Sequence, residues 1–90
     1  MDIARRYFIS GRVQGVGFRY FTWEAAGREG VHGWVRNLMD GRVEAWAEGE
    51  AEAIERFEWH LRSGPAGARV GYVEVLEERP TSRKHGFEVR

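Results

Sequence analysis

Residues 7–19 read Tyr7-Phe8-Ile9-Ser10-Gly11-Arg12-Val13-Gln14-Gly15-Val16-Gly17-Phe18-Arg19. The apolar run from Ile3 to Ser10 predicts a strand. Beyond the glycines, Phe18, Phe21 and Ala25 recur at i, i+3 and i+7, with Thr22 and Ala26 alongside. That spacing predicts an amphipathic helix ending near Gly30 as its C-cap glycine. Between strand and helix lie Gly11, Gly15 and Gly17, three of the chain's 12 glycines. Glycine allows positive φ and lets the backbone approach a ligand closely. Successive N–H groups in such a turn can form an anion-binding nest. The helix N-terminus adds free N–H groups and the positive end of its dipole. Arg19, in the first helical turn, brings a planar bidentate fork. Together these suit a compact tetrahedral anion. A turn that merely joins strand to helix can use the same glycines, so residue types alone leave both readings open. Two familiar phosphate loops do not fit. The Walker pattern needs a Lys that this loop lacks, and Tyr20 stands where the dinucleotide motif has its third glycine.

Working outward, Gly33 to Leu38 and Val43 to Ala47 predict two strands, with Asp40-Gly41 as the hairpin turn between them. Val43, Ala45 and Ala47 alternate with Glu44, Trp46 and Glu48, the period of a half-buried strand. Glu50 to Ser63 predicts a second helix, with Ile54, Phe57 and Leu61 on one stripe and Gly64-Pro65 as its stop. Its acidic start (Glu50, Glu52, Glu55) and Arg62 near its end suit the helix dipole. Val70 to Leu76 reads as a strand, Pro80 to Lys84 as a loop, and Phe87 with Val89 as a short final strand. The order βαββαβ plus a short β predicts an α+β fold, a ferredoxin-like split sandwich. Both helices should cover one face of an essentially antiparallel sheet. Trp46 and Tyr72 are candidates for the other face.

Composition narrows the function. With 90 residues, the chain is expected to form one domain over 1–90. Fourteen basic and 14 acidic residues give a net charge of zero, which argues against binding nucleic acid or anionic membrane by bulk charge. Hydrophobic residues make up 42%, enough for a core. Cysteine is absent, which removes disulfides, thiolate ligands and thiol nucleophiles. No apolar run approaches the ~20 residues of a membrane span, and Met1 to Arg6 lacks the apolar stretch of a secretory signal, so a cytoplasmic location is expected. His32, His60 and His85 are widely spaced and read as surface or loop residues, with no metal site expected. Arg5, Arg6 and Arg12 form a small basic cluster suited to steering anions. Asp40 reads as a turn residue. Glu44, and the helix residues Glu52, Glu55 and Glu58, read as solvated.

Asn37 falls near the end of a predicted strand. Asn is common at turns, so it can serve as a hairpin residue beside Asp40-Gly41. The pattern alone favours that reading, but an amide both donates and accepts, so it can also orient a water. At this point two long motifs carry a resemblance. Ile9-Ser10-Gly11-Arg12-Val13-Gln14-Gly15-Val16-Gly17-Phe18-Arg19 resembles the first signature of the acylphosphatases. Gly33-Trp34-Val35-Arg36-Asn37, then Gly41-Arg42-Val43 and Gly49, resembles the second, spacing included. The family's element order covers the whole chain. Many members have Thr or Pro just after the Asn, whereas this chain has Leu38-Met39.

The resemblance implies hydrolysis of a carboxyl-phosphate anhydride to a carboxylate and inorganic phosphate. It implies that Gln14, Gly15, Val16, Gly17 and Phe18 hold the phosphoryl group through the loop backbone, with Arg19. It implies that Asn37 orients the attacking water. Arg19 and Asn37 are then the catalytic residues. A carboxylate leaves without protonation, and phosphoryl transfer depends mainly on positioning and charge stabilisation. No cofactor, no metal and no covalent phosphoenzyme are therefore expected. The expected partner is a small-molecule acyl phosphate, with inorganic phosphate as product and competitive inhibitor. No nucleic acid or membrane partner and a monomeric state are expected. Other readings share the topology. An RNA-binding domain would stack bases on sheet aromatics, but Val43 to Glu48 offers only Trp46. A small-molecule regulatory domain usually accompanies a catalytic one. A non-catalytic phosphate binder would not need both Arg19 and Asn37.

Overall fold

Period-2 alternation in the first strand divides its residues between two layers. The computed structural model describes residues 1–90. In β1 (Asp2–Arg12), Tyr7 and Ile9 point to one face and are fully buried. They meet α1 (Phe18–Glu29) and α2 (Ala51–Ser63), which contribute Phe18, Ala25 and Ala26, and Ala53, Ile54, Phe57 and Leu61. β2 (His32–Asn37), β3 (Val43–Glu50) and β4 (Arg69–Glu78) add Val35, Val43, Ala45, Ala47 and Val73 to the same core. The Tyr7 and Phe57 rings pack at 5.9 Å, and Phe57 reaches Phe87 at 5.8 Å. Phe87 lies on β5 (Phe87–Val89).

The sheet order is β4-β1-β3-β2-β5. β1 pairs antiparallel with β3 and β4, and β3 antiparallel with β2. This is the ferredoxin-like βαββαβ arrangement, with two helices on one face. β5 pairs in parallel with β2, so that single pairing makes the sheet mixed. The register of β1 on β4 shifts between Ser10 and Gly11. There the backbones approach so closely that a Cβ on Gly11 would stand 2.2 Å from the Arg69 carbonyl oxygen. The bulge bends β1 away just before the glycine-rich loop.

The open face of the sheet differs from expectation. Glu44 is expected to be solvated, yet on this outward face Glu44 and Glu48 are only 3% and 1% exposed, and Trp46 is 7% exposed. β3 is a central strand, and its outer face is roofed by long side chains and by residues 79–86. Arg6 and Arg36 both donate to the Glu44 carboxylate. Arg6 also bridges to Glu78, which accepts the Trp46 indole N–H at 3.0 Å. Glu48 accepts from the Thr81 hydroxyl at 2.6 Å and from the Ser82 N–H. Arg5 is tied to Glu55, Glu58 and Glu77. Arg5 and Arg6 are thus committed to internal ion pairs and do not form a free steering cluster. Glu58, paired with Arg5 and Arg62, is likewise not simply solvated. Tyr72, by contrast, is 67% exposed as an outer-face residue.

Candidate active site

Between β1 and α1 the chain turns inward with its side chains and outward with its backbone. Val13 and Phe18 are buried, and Val16 packs against the core. Gly15 and Gly17 alternate with these anchors at φ 73° and 77°, in the left-handed region that costs an L side chain about 1–2 kcal/mol. Gly17 is the N-cap of α1 and brings no side-chain cap. The first N–H groups of the helix are therefore left to an external acceptor, at the positive end of its dipole. The arrangement is that of a cradle for an anion.

Gly15, Gly17, Phe18, Arg19 and Asn37 line one cleft of about 300 Å3, together with Val13, Tyr20 and Val89. The loop, the first turn of α1, the last residue of β2 and the penultimate residue of the chain meet there. Arg19 Nη1 donates to the Arg90 carbonyl oxygen at 2.9 Å, which fixes one edge of the fork. Arg90 is itself placed by its N–H to the Val35 carbonyl (2.9 Å) and by its guanidinium over the Trp34 ring (4.8 Å). The strand that closes the sheet edge therefore also orients Arg19.

Two of the loop residues are placed differently. The Gln14 side chain turns away from the cleft and donates from Nε2 to the carbonyls of Leu38 (2.7 Å) and Arg42 (2.9 Å). It ties the loop to the β2–β3 hairpin, whose mouth is closed by Leu38 N–H donating to the Arg42 carbonyl at 2.8 Å. Asn37 is the residue just before that tether, so Gln14 joins the loop to the end of the strand that carries the amide. Leu38 thus contributes through its backbone. Val16 presents its side chain to the protein interior. Sequence reasoning missed the Gln14 tether, the Arg90 carbonyl, and Tyr20 and Val89 as cleft walls. Only the adjacency of Tyr20 to Arg19 could have signalled any of these.

Chemically, the cleft combines a fixed cation, backbone donors and a neutral amide. None of its lining residues is Asp or Glu. The sequence model of the acylphosphatase family matches residues 5–89. An acylphosphatase of Roseiflexus sp. (strain RS-1) is 52% identical over 90 residues, covering 99% of this chain and 97% of the relative. One from Rubrobacter xylanophilus is 56% identical over 85 residues, covering 94% of this chain and 77% of the relative. The crystal structure of acylphosphatase from Bacillus subtilis superposes with a TM-score of 0.93 at 39% identity, covering 98% of both chains.

Proposed function

The chain belongs to the acylphosphatase family and is an enzyme acting on acyl phosphates; from that premise we propose how its cleft cleaves them. The N–H groups of Gln14 to Phe18 and the Arg19 guanidinium hold the phosphoryl oxygens. Asn37 holds a water in line with the bond to be broken. The water oxygen bonds to phosphorus as the phosphorus–oxygen bond to the acyl group breaks. The electron pair leaves with the carboxylate, and both water protons stay with the dihydrogen phosphate. Asn37 is an amide and cannot take a proton as a base, so its part is positioning. The donors stabilise charge that grows on the phosphoryl oxygens, each worth about 10²–10³ in rate at sites of this kind. The carboxylate departs unprotonated, so the step calls for no general acid, metal or covalent intermediate.

The observation that supports this reading is the convergence of Gly15, Gly17, Phe18, Arg19 and Asn37, from three elements of the fold, on one cleft. Hydrolysis of acetyl phosphate by the folded protein, with a strong chelator present, is the test. Undiminished turnover is expected. No turnover, or turnover restored only by a divalent cation, would overturn the mechanism.

A further inference from the structure

The helix that carries Arg19 has apolar residues on both faces. Its inner face buries Phe18, Thr22, Ala25 and Ala26, while Tyr20 and Trp23 on the outer face are 63% and 44% exposed. The two rings pack on each other at 5.4 Å, tilted by 31°. Large aromatics gathered at a surface mark a contact site more often than chance. Tyr20 faces Val89 across the catalytic cleft. Trp23 and Phe87 both line the next groove, a space of about 540 Å3 with Ala26, Gly27 and Val31, rimmed by Glu24, Arg28 and His32. Tyr20 and Trp23 are one helical turn apart, and Phe87 and Val89 are one strand repeat apart on the same side. Helix and strand thus flank a seam of two successive spaces, the catalytic cleft and the groove beside it, whose apolar walls are Tyr20 and Val89 in the first and Trp23 and Phe87 in the second. Gly27 borders open space there, with no atom within 4 Å of where a Cβ would stand.

We propose that the seam between α1 and β5 holds the acyl group of the substrate, and that it favours an extended apolar acyl group, aromatic or medium-chain. The inference rests on the reading that the cradle holds the phosphoryl group. In an in-line displacement the acyl oxygen leaves opposite the attacking water, so the acyl group lies away from Asn37. The cleft is polar at Arg19 and Asn37 and apolar at Tyr20 and Val89, which gives the acyl group its direction. From Gly17 to Trp23 the helix rises about 9 Å, long enough for an aromatic ring or a medium-length alkyl chain.

The test is kcat/KM for acetyl, butanoyl, hexanoyl, octanoyl and benzoyl phosphate, in the unaltered protein and in Trp23→Ala and Trp23→Phe. An open seam buries each methylene only in part, so a rise of about twofold per methylene is expected until the chain passes Trp23. Trp23→Ala should lower the octanoyl-to-acetyl ratio about tenfold, and Trp23→Phe should restore most of it. Hydrolysis of acetyl phosphate with a flat series, or an unchanged ratio in Trp23→Ala, would overturn the seam and leave the catalytic reading standing. Failure to hydrolyse any of the five would overturn both.

Discussion

At the residue scale, the placement of single polar groups separates function from folding. Tyr7 is fully buried in the core, and its hydroxyl has no hydrogen-bond partner. Burial pushes its pKa well above the ordinary phenol value. An unsatisfied buried hydroxyl costs about 1–3 kcal/mol, so Tyr7→Phe should stabilise the protein by about 1 kcal/mol. A higher urea midpoint with unchanged slope would show it. Asn37 has two readings from its residue type alone, and its place at the end of β2 in the lining of the cleft is compatible with the proposed water-orienting role. The hairpin itself is local, with Asn37 opposite Val43, but the glycine loop meets it through Gln14, 24 and 28 residues from Leu38 and Arg42, which no local pattern encodes. Glu44 was misread for a similar reason. Period 2 gives its face correctly, but the roof of Arg6 and Arg36 over that face is a tertiary feature.

At the element scale, the strand–loop–helix unit of Ile3 to Gly30 was legible because its signals agree. Hydrophobic period, glycine spacing and C-cap all point the same way. The parallel pairing of β5 with β2 was not legible, because three residues carry no directional signal. That pairing nevertheless delivers Val89 and the Arg90 carbonyl to the cleft. The loop and the β2–β3 hairpin are coupled through one side chain, Gln14. Gln14→Leu keeps the volume and removes both donors. It should cost about 1–3 kcal/mol of stability, the usual penalty for orphaned polar partners. It should also lower kcat about tenfold, because a 1 Å misplacement of a positioning group is enough for large rate losses. Urea unfolding and steady-state kinetics on the same preparation check both. An unchanged kcat would mean that the hairpin holds Asn37 without the tether.

At the scale of the whole molecule, two helices on a sheet leave a second face to be closed by other means. Ion pairs and the 79–86 segment do so, pinned by the carboxylate of Glu48. Burial raises the Glu48 pKa, but donation from the Thr81 hydroxyl and the Ser82 N–H outweighs it, and the net shift is downward. Glu78 is lowered by its hydrogen bond from Arg6, and Glu29 by that from Arg56. A carboxylate whose pKa is lower in the folded state stabilises the fold above its ordinary value near 4.5 and loses that stabilisation as pH falls through the lowered value. The urea midpoint should therefore be flat near neutrality and drop below about pH 4. Glu48→Gln should flatten part of that drop. A midpoint that stays constant down to pH 3 would contradict the assignment.

A net charge of zero is compatible with an anion site because the positive potential is local. In the proposed mechanism it comes from backbone N–H groups at Gln14 to Phe18 and from the Arg19 guanidinium. The proposed mechanism divides the labour between Arg19, which would bind the phosphoryl group, and Asn37, which would position the water. Inhibition of acetyl phosphate hydrolysis by inorganic phosphate, measured in Arg19→Ala and Asn37→Ala, tests that division directly. Arg19→Ala should weaken phosphate inhibition by about 100-fold and remove most turnover. Asn37→Ala should lose turnover to a similar degree while keeping phosphate inhibition within about threefold of the unaltered protein. Equal loss of phosphate inhibition in the two variants would contradict it.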